Sequence, residues 1–445
     1  MEQITVKEKV SYGMGDLACN TLFTVVSSYL MFFYTDIAGI GLGAIGIIML
    51  ASRIVDAVTD PMMGAIVDKT NTKYGKARPY VLWMAVPFAI ISVLMFCSPD
   101  IGENGKFWYA LITYVMFCVI YTALNIPYTA MLTNLTDEIE ERLSFNMFKS
   151  IGSQLGGFIA TGATLALVAA LGGANQKKGF IFTIALYGAA AIFFLFICFK
   201  NTTERIAAVE DKTSLKDSFK AGMKNKPWII TCILCFLGFT GIIIKGSSAM
   251  YFAKYYLEQE SAAAVLLSIS NFVSIPLALV TPAIAKKIGK RNCVLWGNVL
   301  LALGTICVGL IGRNYALIVL FTVIGAIGNG IAISMGFVMI AETVDYSEWM
   351  TGVRAQGLFT AVAGFMVKLG MAVAGAVSAA VMAHGGYVEN AVQSASSLAA
   401  IRMNYIWIPV GIAAISVVIS LFYDLDKKYG QVIAELHERR KQKNA

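Results

Sequence analysis

Apolar residues run along this chain in long blocks separated by short polar stretches. A membrane-crossing helix needs about 20 mostly apolar residues. On that rule the pattern predicts spans near 10–35, 43–67, 79–98, 107–134, 144–171 and 179–199. Six more follow near 228–253, 263–285, 292–312, 315–341, 355–383 and 401–423. The two groups of six are separated by residues 200–227, the longest and most heavily charged connection. The expected architecture is an all-α membrane protein of twelve transmembrane helices in two pseudo-symmetric six-helix bundles. Its parts would be an N-terminal bundle (1–199), a cytoplasmic linker (200–227), a C-terminal bundle (228–423) and a cytoplasmic tail (424–445). The first block is too long for a cleaved signal peptide, whose apolar stretch is about 7 to 15 residues. In the linker, Leu215, Phe219 and Met223 recur every four residues among lysines and Asp217. That spacing predicts a short helix lying on the membrane surface.

Composition sharpens this picture. Of 445 residues, 58% are hydrophobic and only 14% charged, against roughly 25% charged in soluble domains. Glycine is abundant, as expected where membrane helices approach closely. The net charge of +8 would suggest a nucleic-acid partner if the basic residues formed one face, but they do not. Lys106, Lys177, Lys178, Lys254, Arg313 and Arg402 fall in the odd-numbered loops, and Arg53, Lys245 and Lys368 fall inside spans. The remaining basic residues cluster at the two termini and in or beside the even-numbered loops. By the positive-inside rule both termini are cytoplasmic, as in a multi-pass protein of a bacterial inner membrane. The excess charge also gives a modest attraction to membrane lipid headgroups.

The eight cysteines are scattered, mostly within spans, so free thiols are expected. Cys232-x-x-Cys235 is read as core packing, since no histidine or second cysteine pair lies nearby. His384 and His437 both lie outside the spans, and no nucleophile, metal or phosphate-loop motif is present. The chain is therefore not expected to be an enzyme or to carry a cofactor.

Charges at bilayer depth are costly and mark candidate function. In the second span Arg53, Asp56 and Asp60 lie at i, i+3 and i+7, on one helical stripe. Two carboxylates a turn apart repel unless a cation or proton compensates, so the pair makes a monovalent-cation site for Na+ or H+. Lys368, near the middle of span eleven, is expected to face the bundle interior and answer these carboxylates. Asp16 and Asn20 follow Gly13-x-Gly15 in span one, and Tyr121, Asn125 and Tyr128 flank Pro127 in span four. Lys149 stands on a small and polar face of span five with Gly152, Ser153, Gln154 and Gly156. Pro127 frees the Ala123 carbonyl, and polar side chains, aromatic faces and a free carbonyl together suit a polyol such as a sugar. Lys245 is expected to snorkel to the interface. Glu342, Asp345, Glu348 and Arg354 near the end of span ten, with Arg142 after span four, are placed for ion pairs that close one side of the protein and break to open it.

Several of these stretches together resemble the glycoside-pentoside-hexuronide:cation symporter family, melibiose-permease-like members of the major facilitator superfamily. They are Tyr12-Gly13-x-Gly15-Asp16, Tyr34-Thr35-Asp36, Arg53-x-x-Asp56-Ala57-x-x-Asp60-Pro61-x-x-Gly64 and Gly75-Lys76-x-Arg78-Pro79, followed by Asn125-Ile126-Pro127-Tyr128 and Glu342-Thr343-Val344-Asp345-Tyr346-x-Glu348 with Thr351-Gly352-x-Arg354. The resemblance implies cation-coupled symport of a glycoside, pentoside or hexuronide by a functional monomer. It places the cation at Asp56, Asp60 and Thr122 with Lys368 beside them; Thr59, on the same span, joins the candidate cation set, and Arg53 with Lys368 is the candidate coupling pair. The resemblance also implies sugar contacts from Asn20, Tyr121, Asn125 and the Lys149 region, and an inner gate at Arg142, Glu342, Asp345 and Arg354. Asn20 and Asn125 stand where the melibiose permease has aspartates, and Thr129 where it has tryptophan, which argues against melibiose as cargo. A cation-coupled lipid or lysolipid carrier on the same scaffold is the alternative.

Overall fold

The computed structural model describes residues 4–136, 138–205, 215–352 and 356–444, with the side chains of some helical residues, Arg53 among them, outside that description. The described secondary structure is helical. In chain order the helices are α1 (Val6–Phe32), α2 (Leu42–Lys69), α3 (Arg78–Trp83), α4 (Ala85–Met95), α5 (Glu103–Leu135), α6 (Ile139–Gly172), α7 (Gln176–Asn201) and α8 (Leu215–Lys224). They continue as α9 (Lys226–Tyr251), α10 (Ala262–Ile288), α11 (Lys290–Leu310), α12 (Tyr315–Thr351), α13 (Gln356–His384), α14 (Ala395–Arg402), α15 (Ile408–Ser420) and α16 (Leu425–Asn444). Single π-helical turns extend α1 (Phe33–Ile37), extend α9 (Phe252–Tyr256) and join α14 to α15 (Met403–Trp407).

Each predicted span falls on helix. Nine described helical segments are long and apolar enough to cross a bilayer, and ten if the bent pair within α10 counts as one. The second span is one continuous helix, α2, from Leu42 to Lys69. Span three is broken at Trp83–Met84 into α3 and α4, and α3 begins with Pro79 in its first turn, where a missing N–H costs nothing.

The chain forms two compact units. The first comprises Met1–Val209, Gly246–Phe272 and Gly375–Ile401. Within it α1 packs along α6 and α7, and α2 along α5. The α1–α6 seam is backbone on backbone. A Cβ at Gly13 would lie 2.5 Å from the Phe148 carbonyl oxygen, and one at Gly152 would lie 2.0 Å from that of Gly13. Only glycine permits this approach, and it fixes the register of α1 against α6.

Glu204, beyond α7, ties the loop before α3 to the same unit. Its carboxylate accepts from the backbone N–H groups of Lys76 (2.9 Å), Ala77 (2.9 Å) and Arg78 (2.6 Å). A carboxylate at a helix N-terminus satisfies donors that the helix leaves open. Gly75 has φ +109°, and a side chain there would meet Glu204 at 2.6 Å. Arg78 donates from Nε to the Phe199 carbonyl and lies 4.5 Å over the Phe199 ring. The glycine and basic residues of this loop signature are therefore parts of one clamp.

The second unit comprises Glu210–Lys245, Val273–Ala374 and Arg402–Ala445. Here α11 packs on α12 and α15, with Gly297 and Gly328 again in backbone contact. Cys232 and Cys235 sit in a core with Trp228, Ile340, Val344 and Phe359, and all eight cysteines are free. Phe219 and Met223 of α8 are exposed, while Leu215 and Asp217 lie among side chains outside the description. The expectation for Lys245 is corrected: it does not snorkel. Its Nζ donates to Thr305 (3.3 Å) and lies 5.3 Å from the Tyr405 ring centroid, so a hydroxyl and a ring face within its own unit take up the ammonium.

Candidate functional site

In the first unit α2 and α5 bring Asp60 and Thr122, two of the expected cation residues, into contact. Asp56 is buried at 4% exposure. The Thr122 hydroxyl donates to Asp60 Oδ1 at 2.9 Å, across 62 residues of sequence. Thr59, between the two aspartates in sequence, has a buried hydroxyl with no hydrogen-bond partner among the described residues. Buried polar atoms are rarely left so without a functional reason. Asp60 and Thr122 in contact, with Asp56 and Thr59 on the same turn of α2, offer oxygen atoms of the kind a hard cation takes, and the carboxylates can alternatively take a proton.

The second cluster lies on α1, α5 and α6. Asp16 is 6% exposed. Around it α1 lies against α6, where Gly152 meets the backbone of Gly13 and Leu17 in the stretch that also carries Lys149 and Ser153. Lys149 Nζ reaches the Thr129 hydroxyl at 3.4 Å and lies 5.5 Å from the Tyr128 ring centroid. Thr129 donates onward to Asn125 Oδ1 (3.1 Å), and Asn125 Nδ2 donates to the Tyr121 hydroxyl (2.5 Å). Tyr121 stacks on Phe23 with centroids 4.9 Å apart. The result is a continuous row of amide, hydroxyl and ammonium groups backed by rings.

Two expected sugar residues are differently placed. Asn20 turns its amide back to the Asp16 carbonyl (3.1 Å). Tyr128 is fully buried, stacked on Tyr12 at 4.7 Å, with its hydroxyl donating to the Tyr12 carbonyl (2.6 Å). It therefore offers its ring, not its hydroxyl, to Lys149.

The expected gate residues are divided between the units. In the first, Arg142 donates from Nε to the Thr136 carbonyl at 2.7 Å. In the second, Glu342 accepts from Lys290, and Asp345 accepts from the Tyr429 hydroxyl at 3.0 Å. Lys290 also lies over the Tyr429 ring at 4.9 Å. Glu348 follows on α12 and Lys368 is half-buried on α13. Arg354 lies outside the described residues.

The densest polar network was not foreseen. At the end of α1 opposite its N-terminus, Asp36 sits in the π-turn with its side chain only 1% exposed. It accepts from Lys254 Nζ (2.9 Å) and from the Tyr255 hydroxyl, both in the π-turn after α9. It also accepts from the Tyr387 hydroxyl (2.7 Å) beyond α13 and from Thr35 (2.8 Å). Asn390 donates to the Asp36 carbonyl (2.6 Å), and Thr35 shares a hydrogen bond with Tyr251 (2.8 Å). Burial first, then the Asp36 charge, raises the Tyr387 hydroxyl well above its usual range, so it remains a protonated donor. The only sequence signals were the Tyr34-Thr35-Asp36 string and the placement of Lys254 in an odd-numbered loop. Nothing in the order of residues pairs them across 218 and 351 positions.

Comparison with known proteins agrees with this picture. The all-helical fold with its apolar spans is that of a major facilitator transporter. Over 95% of its length the chain is similar to a crystal structure of a D-xylose-proton symporter, with a TM-score of 0.69 at 14% identity and 98% of that chain covered. Over 94% it is similar to one of a nucleoside transporter, with a TM-score of 0.63 at 16% identity and 98% of that chain covered. The profile of the family described as MFS/sugar transport protein matches residues 11–427, and the chain belongs to that family. It is 38% identical over 444 residues to the isoprimeverose transporter of Lactiplantibacillus pentosus, covering 98% of this chain and 92% of the relative. It is 31% identical over 456 residues to a glucuronide carrier protein homolog of Escherichia coli, covering 99% and 97%. These matches bear out the resemblance to glycoside-pentoside-hexuronide:cation symporters. The protein is a multi-pass membrane transporter and not an enzyme.

Proposed function

We propose that this protein is a secondary active transporter that couples Na+ or H+ to symport of a sugar by alternating access. The observation that carries the proposal is the pairing, in one unit, of the Asp60–Thr122 contact between α2 and α5 with the amide, hydroxyl and ammonium row on α5 and α6. Both draw on α5, where Thr122 of the first lies within one turn of Tyr121 and Asn125 of the second. Occupancy of one therefore bears on the other through a single turn of helix. By linkage, a cation that raises sugar affinity has its own affinity raised by the same factor. Relatives named as an isoprimeverose transporter and a glucuronide carrier protein homolog support sugar as cargo, and the lipid-carrier alternative is not favoured.

The moving parts in this reading are the two six-helix halves, 1–199 and 228–423. With the termini at the cytoplasm, as the basic residues suggest, the Asp36 network closes the external side, and Arg142, Glu342, Asp345 and Glu348 belong to the cytoplasmic side. The test is titration of purified protein with a panel of glycosides, pentosides and uronides, with and without Na+ at fixed pH and across pH without Na+. Cation-dependent sugar affinity that is lost on Asp60→Asn supports the reading. Sugar binding indifferent to both ions refutes the coupling.

A further inference from the structure

We propose that one flank of α8 is a docking surface for anionic phospholipid, with Phe219 and Met223 entering the acyl boundary of the bilayer and Lys220 and Lys224 meeting anionic headgroups. The helix has three faces. At about 100° per residue, Phe219 and Met223 share one, Lys220 and Lys224 the next, and Ala221 and Gly222 the third. The third belongs to the protein: Ala221 is buried, and a Cβ at Gly222 would lie 2.9 Å from the Trp228 ring and 3.2 Å from the Phe359 ring. The other two are bare. Phe219 is 56% and Met223 59% exposed, and both lysines are exposed beside them.

The helix cannot turn its apolar flank inward. Asn225, which separates α8 from α9, accepts from the Trp228 N–H (3.0 Å) and donates to the Thr343 carbonyl of α12 (2.8 Å). The Trp228 ring in turn stacks on Phe359 at 4.5 Å. What the flank meets follows from where it stands. Lys226 opens α9, a segment long and apolar enough to cross a bilayer, so Met223 lies within one turn of the point where the chain enters lipid. The lysine spacing extends back to Lys216, against Asp217 as the one acidic residue of α8. A basic flank beside an apolar one is the pattern of a helix lying in the interface. Lysines so placed are drawn to anionic headgroups, whereas a zwitterionic headgroup offers them no net charge.

The probes are phosphatidylglycerol and phosphatidylcholine spin-labelled at the same acyl carbon, each added as a small fraction to phosphatidylcholine bilayers. Full-length protein carrying Met223→Cys is labelled with bimane and reconstituted. The native cysteines are buried or half-buried, and their signal is subtracted with protein lacking the substitution. Both lipids are expected to quench the bimane, with phosphatidylglycerol favoured by about five-fold or more in relative association. Adding Lys220→Gln and Lys224→Gln should bring the two lipids level while quenching by phosphatidylcholine persists, which separates lost charge from lost fold. If Met223→Cys does not fold, Phe219→Cys carries the same comparison. A bimane that neither lipid quenches, as when a second copy or another protein covers the flank, overturns the proposal. So does equal quenching by both lipids when the lysines are intact.

Discussion

Replacing Asp36 by asparagine removes one acceptor oxygen from a carboxylate that accepts four side-chain hydrogen bonds. Lys254 and Tyr255 address Oδ1, while Tyr387 and Thr35 address Oδ2. An asparagine that keeps its oxygen toward Lys254 turns an NH2 group toward Tyr387 and Thr35, setting donor against donor. Thr35 has the Met31 and Phe32 carbonyls, each at 3.2 Å, as alternatives. The net loss is thus about one hydrogen bond to a charged group plus part of the Lys254 attraction, roughly 2 to 3 kcal/mol. If the network holds the external side closed, that loss shifts the closed-to-open ratio by roughly 30- to 150-fold. Ala253 neighbours Lys254 in the π-turn and is wholly buried, so a cysteine there reports opening. In right-side-out vesicles, alkylation of Ala253→Cys by a membrane-impermeant maleimide should accelerate by tens of fold when Asp36→Asn is added. An unchanged rate in protein that still binds sugar refutes a closing role for Asp36.

Other perturbations have equally definite outcomes. Thr59→Ala removes a hydroxyl that has no hydrogen-bond partner among the described residues, so it should cost under about 1 kcal/mol of stability yet weaken cation dependence of sugar binding. A cation response equal to the native one removes Thr59 from the site. Glu204→Ala strips three backbone N–H groups of their acceptor and should cost roughly 2 to 4 kcal/mol, read as a lower Tm in scanning fluorimetry. An unchanged Tm contradicts the clamp. Gly152→Ala puts a methyl 2.0 Å from the Gly13 carbonyl oxygen. It should lower Tm and reduce sugar affinity together, because α1 must leave α6 and carry Asp16 with it; native affinity would show that the seam is not tight.

The spans were legible because a bilayer imposes length and polarity on every helix that crosses it. The stripe Arg53, Asp56 and Asp60 stood out as a candidate because charge at that depth is rare. What sequence could not supply was partnership. Asp36 looked like the end of an apolar run until α9 and the residues beyond α13 brought Lys254, Tyr255 and Tyr387 to it. Tyr128 and Asn20 have the right chemistry for a sugar, but their hydrogen bonds are directed to backbone carbonyls of α1. Lys245 has a stem long enough to reach water, yet it meets a hydroxyl and a ring closer at hand. The π-turns carry no composition signature, since one inserted residue changes register without changing polarity.

The central claim is coupling, and uphill accumulation tests it most directly. Native protein and Asp60→Asn, reconstituted in proteoliposomes, would be given a labelled neutral glycoside such as isoprimeverose with an inward Na+ gradient, and separately with an inward H+ gradient. The account predicts that one of these gradients drives the native protein to concentrate the sugar above its outside level, while Asp60→Asn only equilibrates it. Equilibration without accumulation by the native protein under both gradients, or undiminished accumulation by Asp60→Asn, would contradict it.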